Sequence, residues 1–330
     1  MTRNDCDDGS SHPWLGDLPN TVTMANGSSL DASFLARTKE ILSAFLSRLE
    51  YRAPHTPDDT ELRADISAMI MSWDISKSPT FIATTTDAAC CITERAYGHL
   101  PYKYQLLIAA YTVLVIYADD LGRGDTLGQV GRWLATREKV ADPGLERLLA
   151  QTGEMYDYYS CISAGNINAS TVEGLLGMAI ECATAGVLRT GPRSTLYADF
   201  LRRKTGFGAS YAFFNFIEGW RDPSDFCHLQ VIPVMERYIC GINDVLSFYK
   251  ETLRGETDGS YVHLRAAAED KEPLVVLQQV ADETVTDVLY MRAITSSDPQ
   301  VAEICGQHLM GYIEFHMTAE RYGLRELQLV

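Results

Sequence analysis

From Tyr102 to Asp120 the chain offers water almost no polar face, and Leu106 to Ala118 is an apolar run of thirteen residues. A helix apolar on all sides has to be surrounded by other elements. The run is shorter than the roughly twenty residues a membrane span needs, so it reads as the central helix of a bundle. The rest of the chain supplies the surround. Phe34, Leu35, Ile41, Leu42, Phe45 and Leu49 recur at helical spacing behind an Asp31 cap, predicting a helix over about 31–51. Further helices are predicted over about 56–73, opened by Thr56-Pro57, over 79–100, ended by Pro101, and over 126–138, 143–164, 169–189 and 193–221. The last three cover 224–253, kinked at Pro233, 272–296 and 298–322, with a polar link at 254–262 as a candidate lid. Valine-rich alternation and internal repeats are missing. The expected fold is all-α, a single domain over 29–330 behind a disordered arm at 1–28.

With 46 % hydrophobic residues, the chain has enough apolar material for a sizeable core. The net charge of −16 excludes nucleic acid as a partner, since phosphate backbones are held by clustered Lys and Arg. A small anion stays open, because divalent cations invert the local field of an acidic site. Eight scattered cysteines without Cys-x-x-Cys read as reduced thiols, and Met1 to Asp8 lacks a signal peptide's apolar stretch. A cytoplasmic location without membrane attachment is therefore expected. No Glu-x-x-His occurs, which disfavours a di-iron bundle.

The chemistry-bearing residues gather in four places. Around Asn243-Asp244-Val245-Leu246-Ser247-Phe248-Tyr249-Lys250-Glu251, the apolar Ile242, Val245, Leu246 and Tyr249 share one side of a helix. Asn243, Ser247 and Glu251, four residues apart, share another. Amide, hydroxyl and carboxylate are hard oxygen donors that suit magnesium or manganese, and Lys250 adds a cation for an anion. Asp119 and Asp120 end the central helix, where the dipole disfavours carboxylates; a metal, an arginine partner or plain solvation would answer this. Arg202-Arg203-Lys204-Thr205-Gly206 suggests an anion site, although charge runs on helices are mostly solvated faces. Gly206 costs about 1 kcal/mol inside a helix unless something approaches closely, so its backbone is a candidate to face a ligand. Phe213, Phe214, Phe216 and Trp220 continue that helix as core residues, with faces suited to a carbocation. Arg321-Tyr322 closes the last helix.

In this order, on an all-helical chain, these clusters resemble the ionisation-dependent (class I) terpene cyclases, most closely the fungal trichodiene synthase group, over about residues 30–323. Asn243-Asp244-x-x-Ser247-x-x-Lys250-Glu251 resembles that family's second metal motif with its following basic residue. Asp119-Asp120 resembles the start of its aspartate-rich motif, and Arg321-Tyr322 its late pair closing on diphosphate. Arg202 resembles its diphosphate-sensing arginine, with Thr205 and Gly206 where that movement is relayed to a helix break. One departure stands out: Arg123 and Gly124 occupy the region where the family favours another acidic residue, and Asp125 is displaced. The resemblance therefore implies metal ligands Asp119, Asn243, Ser247 and Glu251, with Asp120 as an arginine partner or outer-shell group and Asp125 unassigned. It implies diphosphate binding by Arg202, Lys250, Arg321 and Tyr322. It further implies a helical bundle around a central apolar cavity, three Mg2+ ions, farnesyl diphosphate as substrate and a possible homodimer. A prenyl-chain elongating synthase would carry a second aspartate-rich motif in place of Asn243, Ser247 and Glu251. A silent isoprenoid-diphosphate-binding protein is the reading that the altered aspartate motif supports.

Overall fold

The computed structural model describes residues 32–75, 78–121, 124–188, 191–257 and 259–329. The Asp31 cap and the arm at 1–28 lie outside them. Among the described residues there are helices and no strand. In order they are α1 (Ala32–Arg48), α2 (Thr60–Ser72), α3 (Pro79–Ala96), α4 (Tyr102–Leu121), α5 (Gly124–Thr136), α6 (Pro143–Glu154), α7 (Cys161–Thr184), α8 (Thr195–Thr205), α9 (Gly208–Phe213), α10 (Ile232–Arg254), α11 (Tyr261–Glu269), α12 (Pro273–Thr295) and α13 (Pro299–Thr318).

Caps set several of these boundaries. Asp59 accepts from the backbone N–H of Glu61 and Leu62 to start α2, and Asp142 from Gly144 and Leu145 to start α6. Ser78 and Asp298, each followed by proline, start α3 and α13. At the far end of α10, Gly255 takes φ +70°, the left-handed C-cap that glycine adopts without steric cost. α4 is the centre of the bundle: every residue from Leu107 to Val115 is buried, against α2, α3 and α6. By length and mean hydropathy alone it would cross a bilayer, so the short run is not what separates it from a span; 67 % of that window is buried inside the bundle.

Five expected boundaries are corrected. Thr56-Pro57 precedes α2 instead of opening it, because the Thr56 N–H and hydroxyl both donate to the Glu314 carboxylate, at 2.9 and 2.8 Å. The 143–164 and 169–189 helices divide elsewhere: a short 3-10 turn at Met155–Asp157 ends the first, and Ser160 caps the continuous α7. The 193–221 helix stops at Thr205, restarts at Gly208 and ends at Phe213, with Phe207 at φ +49° between the two parts. α10 begins only at Ile232 and takes Pro233 into its first turn, where the missing N–H costs nothing and no kink is needed. Finally, the polar link is followed by α11, where no helix was expected.

Candidate active site

Asp119, at the C-terminal end of α4, feels the charges of Lys250 from α10 and Arg321 from the 3-10 turn Glu320–Tyr322, which packs on α10, and the last turn of α8 sends Arg202 to α10. On α10, Ile242, Val245, Leu246 and Tyr249 are buried in the core, and Asn243 and Glu251 are half-buried on another side; Ser247, on the turn between them, is itself buried, so only two of the three donors are partly open. Ser247 Oγ donates to Glu251 Oε1 at 2.5 Å, so hydroxyl and carboxylate already share one small space. Ser260, from the turn before α11, donates to the other carboxylate oxygen at 2.6 Å, and His263 Nδ1 lies 3.2 Å from the same hydroxyl.

Arg202 turns inward from α8. Its Nη2 donates to Asn243 Oδ1 and to the Cys240 carbonyl, both at 3.1 Å, and its Nε lies 2.7 Å from Asp244 Oδ1. Asp244 was quoted only as part of the motif, without a role, yet it is the counterion of the inward arginine. Burial pushes its carboxyl up to about 6, against the pull of Arg202. The other two cations of the run diverge: Lys204 pairs with Glu173 at 2.8 Å and Arg203 is exposed. Gly206 is needed for close packing. A Cβ there would stand 2.6 Å from Cys240 Sγ and 2.9 Å from the Arg202 carbonyl oxygen, so α10 fills the space where a ligand-facing backbone was expected. Thr205 returns its hydroxyl to the Leu201 carbonyl.

Lys250 and Arg321 flank the Tyr322 ring, at 5.3 and 5.7 Å from its centre. Neither has a carboxylate ion-pair partner among the described residues. Burial, with Arg321 beside it, brings the Lys250 ammonium down to about 8. Asp119 feels both cations: burial raises its carboxyl, Arg321 and Lys250 draw it back, and Asp120 and Glu256 add repulsion. Its side chain nevertheless remains open to water from the mouth. Asp120, expected as an arginine partner or outer-shell group, is exposed, with no arginine paired to it among the described residues. Asp125 sits exposed in the first turn of α5, where the helix dipole favours an acid.

One group absent from the sequence reading joins the site. Glu181, on α7, is pushed up to about 7 by burial and by the charges of Asp119 and Glu251, with Arg202 opposing. It shares a cleft with Asp119. Nothing in its surroundings in sequence marks it, since a lone glutamate at the end of an apolar helix is commonplace. A cleft of about 700 Å³ opens here, lined by Asp119, Glu181 and His263 and by apolar side chains such as Met178, Leu201 and Leu264. Asn243, Ser247 and Glu251 do not line that cleft; they stand behind the turn that carries Gly259 and Ser260.

Away from the residues lining the cleft, part of the core is aromatic. Phe214 lies among the rings of Tyr97, Tyr111, Tyr159 and Tyr211, with centroids 5.0 to 6.3 Å away. Phe214, Phe216 and Trp220 follow α9 outside any helix, contrary to expectation, and Phe216 and Trp220 pack on His228. Among the described residues no three His, Cys, Asp or Glu side chains gather as a metal site. The donors along α10 are of another kind, one amide, one hydroxyl and one carboxylate. That mixed, hard-oxygen set fits a divalent cation such as magnesium, which keeps several waters and takes few protein carboxylates.

The trichodiene synthase (TRI5) family profile matches residues 74–328. Terpene synthase BipA of Cochliobolus sativus is 29 % identical over 304 residues, covering 88 % of this chain and 90 % of that protein. Alpha-cuprenene synthase COP6 of Coprinopsis cinerea is 27 % identical over 301 residues, covering 88 % and 89 %. Among solved structures, linalool/nerolidol synthase from Streptomyces clavuligerus superposes with a TM-score of 0.65 at 14 % identity, covering 81 % of this chain and 99 % of that one. The same enzyme was also solved in complex with 2-fluorogeranyl diphosphate.

Proposed function

We propose that this chain, which belongs to the trichodiene synthase family of terpene synthases, is a magnesium-dependent sesquiterpene cyclase that ionises farnesyl diphosphate and cyclises the carbocation. The observation that carries this reading is that Lys250 and Arg321, which have no carboxylate ion-pair partner among the described residues, act electrostatically on Asp119 at the end of the apolar α4, with Glu251 of α10 beside Lys250. A site built only to hold metal would not keep two bare cations beside it; a site for an anion and its counter-cations would. Relatives named alpha-cuprenene synthase and (E)-beta farnesene synthase, after C15 hydrocarbons, support a C15 substrate, and a relative named Monoterpene synthase 25 is why the C10 diphosphate belongs in the test.

Asn243, Ser247, Glu251 and Asp119 would hold magnesium, which when bound would neutralise charge on the departing diphosphate. Lys250, Arg321 and Arg202 supply fixed positive charge where that negative charge develops, which is differential stabilisation of the transition state. One pair of unit charges about 4 Å apart is worth ~4 kcal/mol at an effective dielectric of ~20. Tyr322, packed beside both cations, fixes their direction. The aromatic interior around Phe214 then excludes water and presents π faces to the cation left behind.

Incubation with the C10, C15 and C20 diphosphates, with and without magnesium, followed by gas chromatography with mass detection, tests this. The expected result is a cyclic C15 hydrocarbon or alcohol and free diphosphate, only with the metal. A longer diphosphate made in the presence of isopentenyl diphosphate would identify an elongating synthase instead, and no diphosphate release would leave a binding protein.

A further inference from the structure

Asn243 can serve as an oxygen ligand only if its amide is turned the right way, and its two ends are nearly isosteric. The structure assigns that choice to His316, which we infer to be a positioning residue for Asn243; this rests on the metal-site reading above. His316 is fully buried on α13. Its Nδ1 lies 2.8 Å from the Tyr312 carbonyl oxygen, an acceptor only, so Nδ1 carries the proton and donates. The neutral ring then has a lone pair on Nε2, and Asn243 Nδ2 lies 3.2 Å from it. The second Nδ2 hydrogen faces the Tyr322 hydroxyl at 3.5 Å. Both amide hydrogens are thus claimed from the α13 side, and a flipped amide would press Oδ1 against the Nε2 lone pair. Oδ1 is left facing α8, where one of its two lone pairs accepts from Arg202 and the other remains for a cation.

The imidazole cannot rotate to release the amide. Tyr312, Phe315 and Tyr322 enclose it with ring centroids 4.7, 4.8 and 4.4 Å away. The Tyr312 carbonyl therefore sets the tautomer, the three rings set the ring plane, and His316 passes both on to the Asn243 amide, as outer-shell partners of metal ligands do.

Calorimetric titration of magnesium into the full chain with inorganic diphosphate tests the inference without turnover. His316→Leu, which keeps the bulk and removes the acceptor, is expected to weaken magnesium binding about 10- to 100-fold. His316→Gln, whose amide oxygen reaches the Nε2 position, is expected to stay within about threefold of the unaltered protein. Leucine and unaltered proteins of equal affinity, or glutamine and leucine variants equally weakened, would overturn it. If the leucine variant does not fold by circular dichroism, His316→Met, with only a weak acceptor, replaces it under the same criteria. An unaltered protein that takes up no magnesium with diphosphate would overturn the metal-site reading itself, a result that needs no variant.

Discussion

Arg202 and Asp244 are each other's main partner in a buried place, and this changes what removing either one does. Arg202→Ala leaves a carboxylate without its counterion, so the variant is expected to lose about 3 kcal/mol of stability as well as diphosphate affinity. Adding Asp244→Asn should restore most of the stability while affinity for inorganic diphosphate stays low; urea unfolding and calorimetry together separate the two effects. Asn243 and Glu251 are half-buried and contribute no apolar core surface, so Asn243→Ala and Glu251→Ala should abolish turnover while the helical circular dichroism is kept. Lys250 is the group expected to set an alkaline limit. With its ammonium lowered to about 8, it loses its charge as pH rises through that value, and diphosphate affinity of the metal-free protein should fall above about pH 8. Lys250→Arg should move that fall to higher pH. If the arginine variant weakens over the same range, another group is titrating.

At the level of elements, α8 is a short helix that brings Arg202 to α10 only because nothing stands between them. Gly206→Ala would place a Cβ against Cys240 Sγ and the Arg202 carbonyl, and is expected to destabilise the chain by about 1–3 kcal/mol in urea unfolding. Cys240→Ala in the same chain should recover part of that loss, since the sulfur is the nearest obstacle. The break at Phe207 follows from the same approach. The chain leaves α8 beside α10 and turns through a left-handed residue before α9 continues. A continuous helix through 193–221 was the natural reading of its apolar spacing, which carries no information about how near a neighbouring helix will come. Pro233 was read as an interior kink for a similar reason: its place in the first turn depends on where α10 starts, and no side-chain cap marks that start.

Across the whole molecule, the buried histidines make stability depend on pH. His308 is enclosed between Tyr97 and Tyr238, and burial lowers it to about 3 from an ordinary 6.5. The unfolded chain binds the proton first, so stability is complete above pH 6.5 and falls as pH drops toward 3, by up to about a factor of ten in the unfolding constant per pH unit for this group. His308→Gln should flatten that part of a plot of unfolding free energy against pH; an unchanged slope would place the effect elsewhere. Polar pins that spacing does not reveal also tie the bundle together. One joins Thr56 to Glu314, and another joins Arg63, Arg95 and Asp59 to the buried Glu94.

Helical periodicity and the all-apolar Leu106–Ala118 run were by themselves enough to determine an all-α bundle with α4 at its centre, because local spacing dictates which side of a helix must be buried. The order of Asp119, Arg202, Asn243 to Glu251 and Arg321-Tyr322 likewise determined which residues to look at. Only the tertiary structure decided how they meet: Arg202 paired with Asp244, Glu181 sharing a cleft with Asp119, Lys250 and Arg321 on one ring without a carboxylate partner among the described residues, and His316 behind Asn243. Each of those facts joins helices far apart in the chain, at distances set by packing that no local pattern encodes.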